Sequence, residues 1–430
     1  MRTRSPMEVF LTHRNSLTAL STDGRQEPVD LPLAGFARFV DFVAGSGATS
    51  CVLTGGEPTL HPDIASILAL ARKKKVEPVV ETCGVLLDEV AELLVAEQVR
   101  VSWRLYHPRF YTDEERTRML SAAKRLGRPE APLCVIVSAS EEEDDYLWLE
   151  EFLNATVCQQ IVLRSLPSQT LAAKRSLAAW VVTAVPPILE AGGKLILDCG
   201  LQACAFSDEA YGAIARQGVA LQGCVPRPGV GTDLRVYHCR EMADFPGAPL
   251  TSFKNMDQLR DYFFRRHSDL QWDYRFFPEC PPCPSLRFAN CQGPCMGSKA
   301  RRLTAEAERL KEVVASDGAA GPLADLGRVL LELSRFSESE QCLAEARRLE
   351  PSRGDVHLLL GRALAELNRL ADAEEEYRKA ARLLPGGDGV LLELGHRLRE
   401  RGKTIRARRV AEEARRLAKE LAEGGDGPSQ

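Results

Sequence analysis

Cys51-Val52-Leu53-Thr54-Gly55-Gly56-Glu57-Pro58-Thr59-Leu60-His61-Pro62 is the stretch on which the fold turns. It opens as a short apolar strand and breaks at two glycines, where the backbone can come close to a ligand. Glu57 places a carboxylate at that break, and Pro62 stands where a helix can begin, a position proline favours. Strand-like and helix-like segments alternate on both sides. Met7 to Leu11 reads as a strand and Leu33 to Ala44 as a helix. Pro62 to Lys75 is helical in spacing, Glu77 to Glu81 extended and Asp88 to Glu97 helical. Val99 to Leu105, Thr112 to Leu126, Leu133 to Ser138, Asp145 to Asn154 and Gln160 to Leu163 continue the rhythm. Repeated strand–helix units predict an α/β fold, a parallel sheet with helices outside and a partial or full (β/α) barrel. Chemistry in such folds gathers at the C-terminal ends of the strands.

The whole chain has 430 residues, enough for two or three domains, with 44% hydrophobic and 27% charged residues and a net charge of -4. Bulk positive charge is absent, so nucleic acid is not an expected partner. The longest apolar stretch, around Leu177 to Leu189, is too short for a bilayer and contains Pro186 and Pro187. The N-terminal Met1-Arg2-Thr3-Arg4-Ser5-Pro6 lacks an apolar signal region, and the expectation is a cytoplasmic protein. Thirteen cysteines in a reducing compartment point to metal more than to disulfides.

With Gly55-Gly56-Glu57-Pro58 after the second strand and Thr82-Cys83-Gly84 closing the third, the first 200 residues resemble the radical SAM superfamily. The resemblance implies that Gly55, Gly56, Glu57 and Pro58 form a cofactor-binding segment, which in that family hydrogen-bonds the amino group of S-adenosylmethionine. It also implies three cysteines, Cys-x3-Cys-x2-Cys, on the loop after strand one, holding a four-iron cluster. Here that loop reads Leu11-Thr12-His13-Arg14-Asn15-Ser16-Leu17-Thr18-Ala19-Leu20-Ser21-Thr22. Asn15, Ala19 and Thr22 fall at the ligand positions, and no cysteine precedes Cys51. Iron–sulfur clusters need soft thiolates. The expectation is a chain that does not build the radical-generating cluster by itself.

A second cysteine field lies downstream. Cys280-Pro281-Pro282-Cys283 and Cys291-Gln292-Gly293-Pro294-Cys295 supply four thiolates, sufficient for zinc or an iron–sulfur cluster, and Cys224 and Cys239 lie upstream. Together they resemble the SPASM extension of radical SAM peptide-modifying enzymes, which carries auxiliary 4Fe-4S clusters. The spacer between Cys283 and Cys291 is seven rather than five, Leu234 replaces a glycine, and the pattern's final cysteine is missing before Cys342. Cys199 and Cys204 are extra candidate ligands or ordinary buried thiols. Cys51, Cys83, Cys134, Cys158 and Cys342 read as core residues.

The last third repeats at a period of 34: Gly327, Gly361 and Gly395; Leu330, Leu364 and Leu398; Ala346, Ala380 and Ala414. Pro351 and Pro385 close the first two units, and the pattern resembles the tetratricopeptide repeat. Such units bury their apolar faces only by stacking, and they usually bind protein segments. The span Arg397 to Arg416 has nine Lys/Arg against three Glu and reads as a solvated helix face.

The expected organisation is a radical SAM-like barrel over 1–200, a SPASM-like cysteine-rich domain over 201–300, a linker helix over 301–318, three repeats over 319–421 and a flexible tail over 422–430. The expected role is a pseudoenzyme, an accessory or scaffold subunit. It keeps one or two auxiliary iron–sulfur clusters and binds a peptide or a genuine radical SAM enzyme in peptide modification. Two alternatives remain open: an active S-adenosylmethionine-dependent peptide-modifying enzyme, and a zinc-stabilised protein-binding module.

Overall fold

A computed structural model describes residues 6–15, 17, 29–139, 147–165, 172, 174–176, 178–179, 181–182, 194–197, 203–221, 227–245, 247–266 and 295–424. The chain divides into two units, residues 1–299 and 300–430.

Among the described residues, the first unit is built on ten strands in the order β10-β9-β1-β2-β3-β4-β5-β6-β7-β8. They are β1 (Met7–Thr12), β2 (Ser50–Gly55), β3 (Glu77–Thr82), β4 (Arg100–Leu105), β5 (Leu133–Ala139), β6 (Cys158–Ser165), β7 (Lys194–Leu197), β8 (Ala220–Leu221), β9 (Gly229–Val230) and β10 (Val236–Tyr237). Strands β1 to β8 are all parallel and lie in chain order. β9 adds parallel to β1, and β10 pairs antiparallel with β9. Between the strands run α1 (Leu33–Gly45), α2 (Ile64–Lys73), α3 (Asp88–Ala96), α4 (Asp113–Leu126), α5 (Leu147–Ala155), α6 (Asp208–Arg216) and, after β10, α7 (Met256–Arg266). The expected α/β class and parallel sheet are thus observed. One boundary moves. Pro62 does not open a helix; Pro58 starts a short 3-10 turn, Pro58–Leu60, and α2 begins at Ile64.

A parallel sheet covered on both faces reads as unbroken apolar runs. These strands alternate in part, with short apolar runs at Val135–Val137 and Ile161–Leu163. Val9, Leu11, Leu53, Val80, Trp103, Val135, Val137, Ile161 and Leu163 point one way and are buried with Phe36, Phe39, Ile67 and Leu94 of the helices. The residues between them, Glu8, Thr54, Glu81, Ser102, Arg104, Cys134, Gln160 and Arg164, share the opposite face. The register aligns Glu81 with Ser102, Ser102 with Cys134 and Cys134 with Gln160. The sheet therefore has an oily outer face and a mixed inner one, where these polar groups stand among Phe10, Val52, Val79, Ile136 and Val162. Val230, Val236, Leu250, Met256, Leu259 and Phe263 join the same core, so the segment after β8 packs as part of the barrel unit.

The second unit is all helix after Met296–Asp317, with pairs Ala320–Glu332 and Phe336–Leu349, Gly354–Glu366 and Leu370–Leu383, Gly387–Glu400 and Thr404–Gly424. Two of the three repeat glycines have a steric cause, while a Cβ at Gly395 would meet nothing closer than 3.5 Å. A Cβ at Gly327 would lie 2.5 Å from Leu343, and one at Gly361 would lie 2.8 Å from Tyr377. Ser334, Asn368 and Gly402, also 34 apart, hold φ of 60°, 62° and 72° and turn the chain between the paired helices. Half-buried charges tie successive repeats: Arg362 pairs with Glu393 at 2.7 Å and Arg397 with Glu366 at 2.6 Å. No helix among the described residues is long and apolar enough to cross a membrane.

Candidate functional site

The turn at Gly55–Leu60 leaves the C-terminal end of β2 and meets the loop that follows β1. Gly56 N donates to Thr12 O at 2.8 Å, and Glu57 N to Arg14 O at 2.6 Å. A Cβ on Gly56 would stand 2.0 Å from Arg14 O, and one on Gly55, whose φ is 123°, 2.5 Å from Thr12 O. Both glycines are therefore required by the close approach of that loop, whatever else binds there.

Glu57 is fully buried. Its Oε1 accepts from Thr59 N (3.2 Å) and Thr59 Oγ1 (2.6 Å). Its Oε2 accepts from Thr82 Oγ1 (2.9 Å), Cys83 N (2.9 Å) and Cys83 Sγ (3.1 Å). The carboxylate is a clamp between the ends of β2 and β3. Pro58 is buried as the first residue of the 3-10 turn. Gly84 follows with φ 87°, and a Cβ there would collide with the Trp103 ring at 1.9 Å.

Among the described residues of the loop after β1, Thr12, Arg14 and Asp30 bond one another. Thr12 Oγ1 donates to Asp30, and Arg14 Nη2 donates to Asp30 Oδ2 at 2.8 Å. The Arg14 guanidinium holds the Asp30 carboxyl below its usual range. His61 reaches the same segment, with Nε2 2.9 Å from Leu31 O. Of the three positions the family uses for thiolates, Asn15 is described; Ala19 and Thr22 lie outside the described residues. With hard or neutral side chains in their place, the segment from β1 to α1 does not fit an iron–sulfur cluster.

Inside the barrel lies a charged network that sequence reading missed. Arg240 donates from Nη2 to Glu81 Oε2 at 2.9 Å and to Thr54 Oγ1 at 2.8 Å, and its Nη1 pairs with Glu81 Oε1. Glu8 stands 3.5 Å from the same guanidinium. Arg104 Nε approaches Glu81 Oε1 at 3.2 Å, while Nη1 donates to Gly55 O at 3.0 Å and Nη2 to Gly56 O. Burial alone would raise the Glu81 pKa, yet Arg240 and Arg104 hold it well below the usual carboxylate range. The signal for half of this network was present in the strand alternation, which puts Glu8, Thr54, Glu81 and Arg104 on one face. The partner Arg240 comes from 159 residues beyond Glu81, and local pattern does not reveal it.

In the second cysteine field, Cys239, Cys295 and Cys204 are described; Cys199, Cys224, Cys280, Cys283 and Cys291 lie outside the described residues. Cys295 is buried, Cys239 half-buried and Cys204 exposed. The chain around Cys295 packs against that around Cys239: a Cβ on Gly297 would lie 2.4 Å from Glu241 O. Leu234 has φ 59°, the left-handed conformation that favours the glycine it replaces. Burial lowers the His238 pKa to about 4. Among the described residues no group of three or more His, Cys, Asp or Glu side chains is placed to hold a metal. Cys51 and Cys83 are buried core thiols, and burial pushes Cys51 up to about 12. Cys134 and Cys158 are half-buried, Cys134 on the inner face, and Cys342 is half-buried in the repeats.

Comparison with known proteins agrees with this geometry in part. Residues 20–138 match the Radical SAM superfamily and residues 324–388 the tetratricopeptide repeat. The chain thus carries a radical SAM domain and a C-terminal repeat region. No curated protein matches it. Among solved structures, Streptococcus suis SuiB bound to S-adenosylmethionine is 15% identical and covers 68% of this chain and 73% of its own, with a TM-score of 0.46. A histidine-tagged anSMEcpe with bound AdoMet is 14% identical, covering 67% and 89%, with a TM-score of 0.47. A MamA structure is 20% identical over 28% of this chain and 71% of its own, with a TM-score of 0.26.

Proposed function

We propose that this barrel is a radical SAM fold without a radical-generating centre, and that the chain acts as an accessory or scaffold subunit in peptide or protein modification. The observation that carries the reading is the loop after β1. It has no thiolate, and at its two described ends Thr12, Arg14 and Asp30 bond one another. The repeats supply a surface for a protein segment, either a peptide or a partner enzyme. Cys224, Cys239, Cys280, Cys283, Cys291 and Cys295, with Cys199 or Cys204, would hold an auxiliary iron–sulfur centre. The packing of the Cys239 and Cys295 segments on each other supports a shared site.

The test is anaerobic reconstitution of the full chain with iron and sulfide, followed by strong reductant and S-adenosylmethionine. The expected result is a brown protein that makes no 5′-deoxyadenosine above background. Replacing Cys239 and Cys295 with Ala should remove iron, because metal binding and folding are coupled in such segments. Sustained 5′-deoxyadenosine formation would overturn the accessory reading. A colourless protein with stoichiometric zinc would replace the iron–sulfur centre by a zinc-stabilised one.

A further inference from the structure

Two backbone carbonyls at the end of β2, Gly55 O and Gly56 O, face the interior of the barrel. Carbonyls at the open end of a strand have no ladder partner and are ready acceptors for a cationic donor. Here both are taken by one side chain. Arg104, on β4, reaches past the end of β3 and sets one nitrogen on each carbonyl, while its third nitrogen lies 3.2 Å from Glu81. The guanidinium is planar and permanently charged; its two terminal nitrogens are hydrogen-bonded to the carbonyls, while Nε makes an ion-pair contact with Glu81 but no hydrogen bond. It is also largely shielded, its side chain being only 13% exposed.

We propose that Arg104 is a built-in cation that stands on the Gly55 and Gly56 carbonyls in place of a ligand's ammonium group, closing this end of the barrel to nucleosides that carry an amino-acid group. The inference rests on reading the barrel as lacking its own radical centre. It is separable from that reading because it concerns binding alone, measured without iron, sulfide or reductant. A cation already bonded to both acceptors excludes a second one by like-charge repulsion as well as by volume. Removal of Arg104 need not strand Glu81, which keeps its contacts with Arg240.

The experiment uses the full-length protein and two probes in equilibrium dialysis. S-Adenosylhomocysteine carries an α-ammonium; 5′-methylthioadenosine has the same nucleoside without it. The wild-type chain should show no preference for the first over the second. Arg104→Ala and Arg104→Met should gain about tenfold in affinity for S-adenosylhomocysteine, the worth of one hydrogen bond to a charged group, and nothing for 5′-methylthioadenosine. Arg104→Lys keeps a cation and should stay like wild type. A wild-type chain that already prefers S-adenosylhomocysteine overturns the proposal without any variant. So does a folded Arg104→Met that gains nothing. A variant that loses affinity present in the wild type would make the guanidinium a ligand contact rather than a stand-in.

Discussion

The Gly55–Leu60 turn and the Thr12–Asn15 loop touch each other through two backbone hydrogen bonds, yet they differ in how much of the family pattern they keep. The turn retains Gly-Gly-Glu-Pro in full. The loop carries none of the thiolates. The difference is physical. Each residue of the turn is fixed by the protein itself: the glycines by the carbonyls of Thr12 and Arg14, and Glu57 by five donors from Thr59, Thr82 and Cys83. The cysteines of the loop would have served only a cluster. The fold needs Gly55, Gly56 and Glu57 for its own packing, so Gly55-Gly56-Glu57-Pro58 is not by itself a sign of S-adenosylmethionine chemistry.

Three substitutions sharpen this contrast. The largest loss of stability is expected from Gly56→Ala, since its Cβ would meet backbone rather than a flexible side chain. Urea unfolding should show a destabilisation of about 3 kcal/mol, the upper range of overpacking. A variant as stable as wild type would break the claim that packing alone demands the glycine.

Glu57→Gln should come next. An amide has one acceptor oxygen, and its NH2 must face either Thr59 or the Thr82–Cys83 pair, all donors. The expected destabilisation is about 2 kcal/mol, the cost of buried donors left unmatched. It should appear equally in the presence and absence of S-adenosylmethionine. Loss of ligand binding without loss of stability would return Glu57 to the cofactor.

The smallest effect belongs to the loop. Asp30→Asn removes a partly exposed pair with Arg14, so the change should stay under about 1 kcal/mol. Its pH dependence carries the sign. Arg14 depresses the Asp30 pKa, so the pair stabilises the fold above the unfolded aspartate value, roughly 3.9, and is lost as pH falls through the lower folded one. The variant should therefore lose slightly less stability than wild type on acidification. An effect of Asp30→Asn rivalling that of Gly56→Ala would mean that the loop, too, is a structural keystone.

Much of the fold is legible in the chain, and the limits are equally specific. The strand–helix rhythm places β1 to β6 within a few residues, because each element carries its own periodicity. Gly55 and Gly56 announce a close approach but not what approaches. The missing thiolates are plain from the absence of any cysteine before Cys51. The inner network is half visible: Glu81 in Glu77-Pro78-Val79-Val80-Glu81-Thr82 and Arg104 in Arg100-Val101-Ser102-Trp103-Arg104-Leu105 alternate with apolar residues, which marks a polar face. Alternation alone does not distinguish a barrel interior from a face open to solvent.

By itself the sequence determined the parts: parallel strands with helices between them, the 34-residue repeat and the missing cluster ligands. These depend on side-chain period and residue type, which are local. Only the tertiary structure decided that Glu57 is spent on Thr59, Thr82 and Cys83, that Arg240 enters the barrel to meet Glu81, and that Arg104 covers the carbonyls of Gly55 and Gly56. Those contacts join residues as far as 26, 159 and 49 positions apart. Sheet register and the path of the chain after β10 bring them together, and no local pattern encodes either.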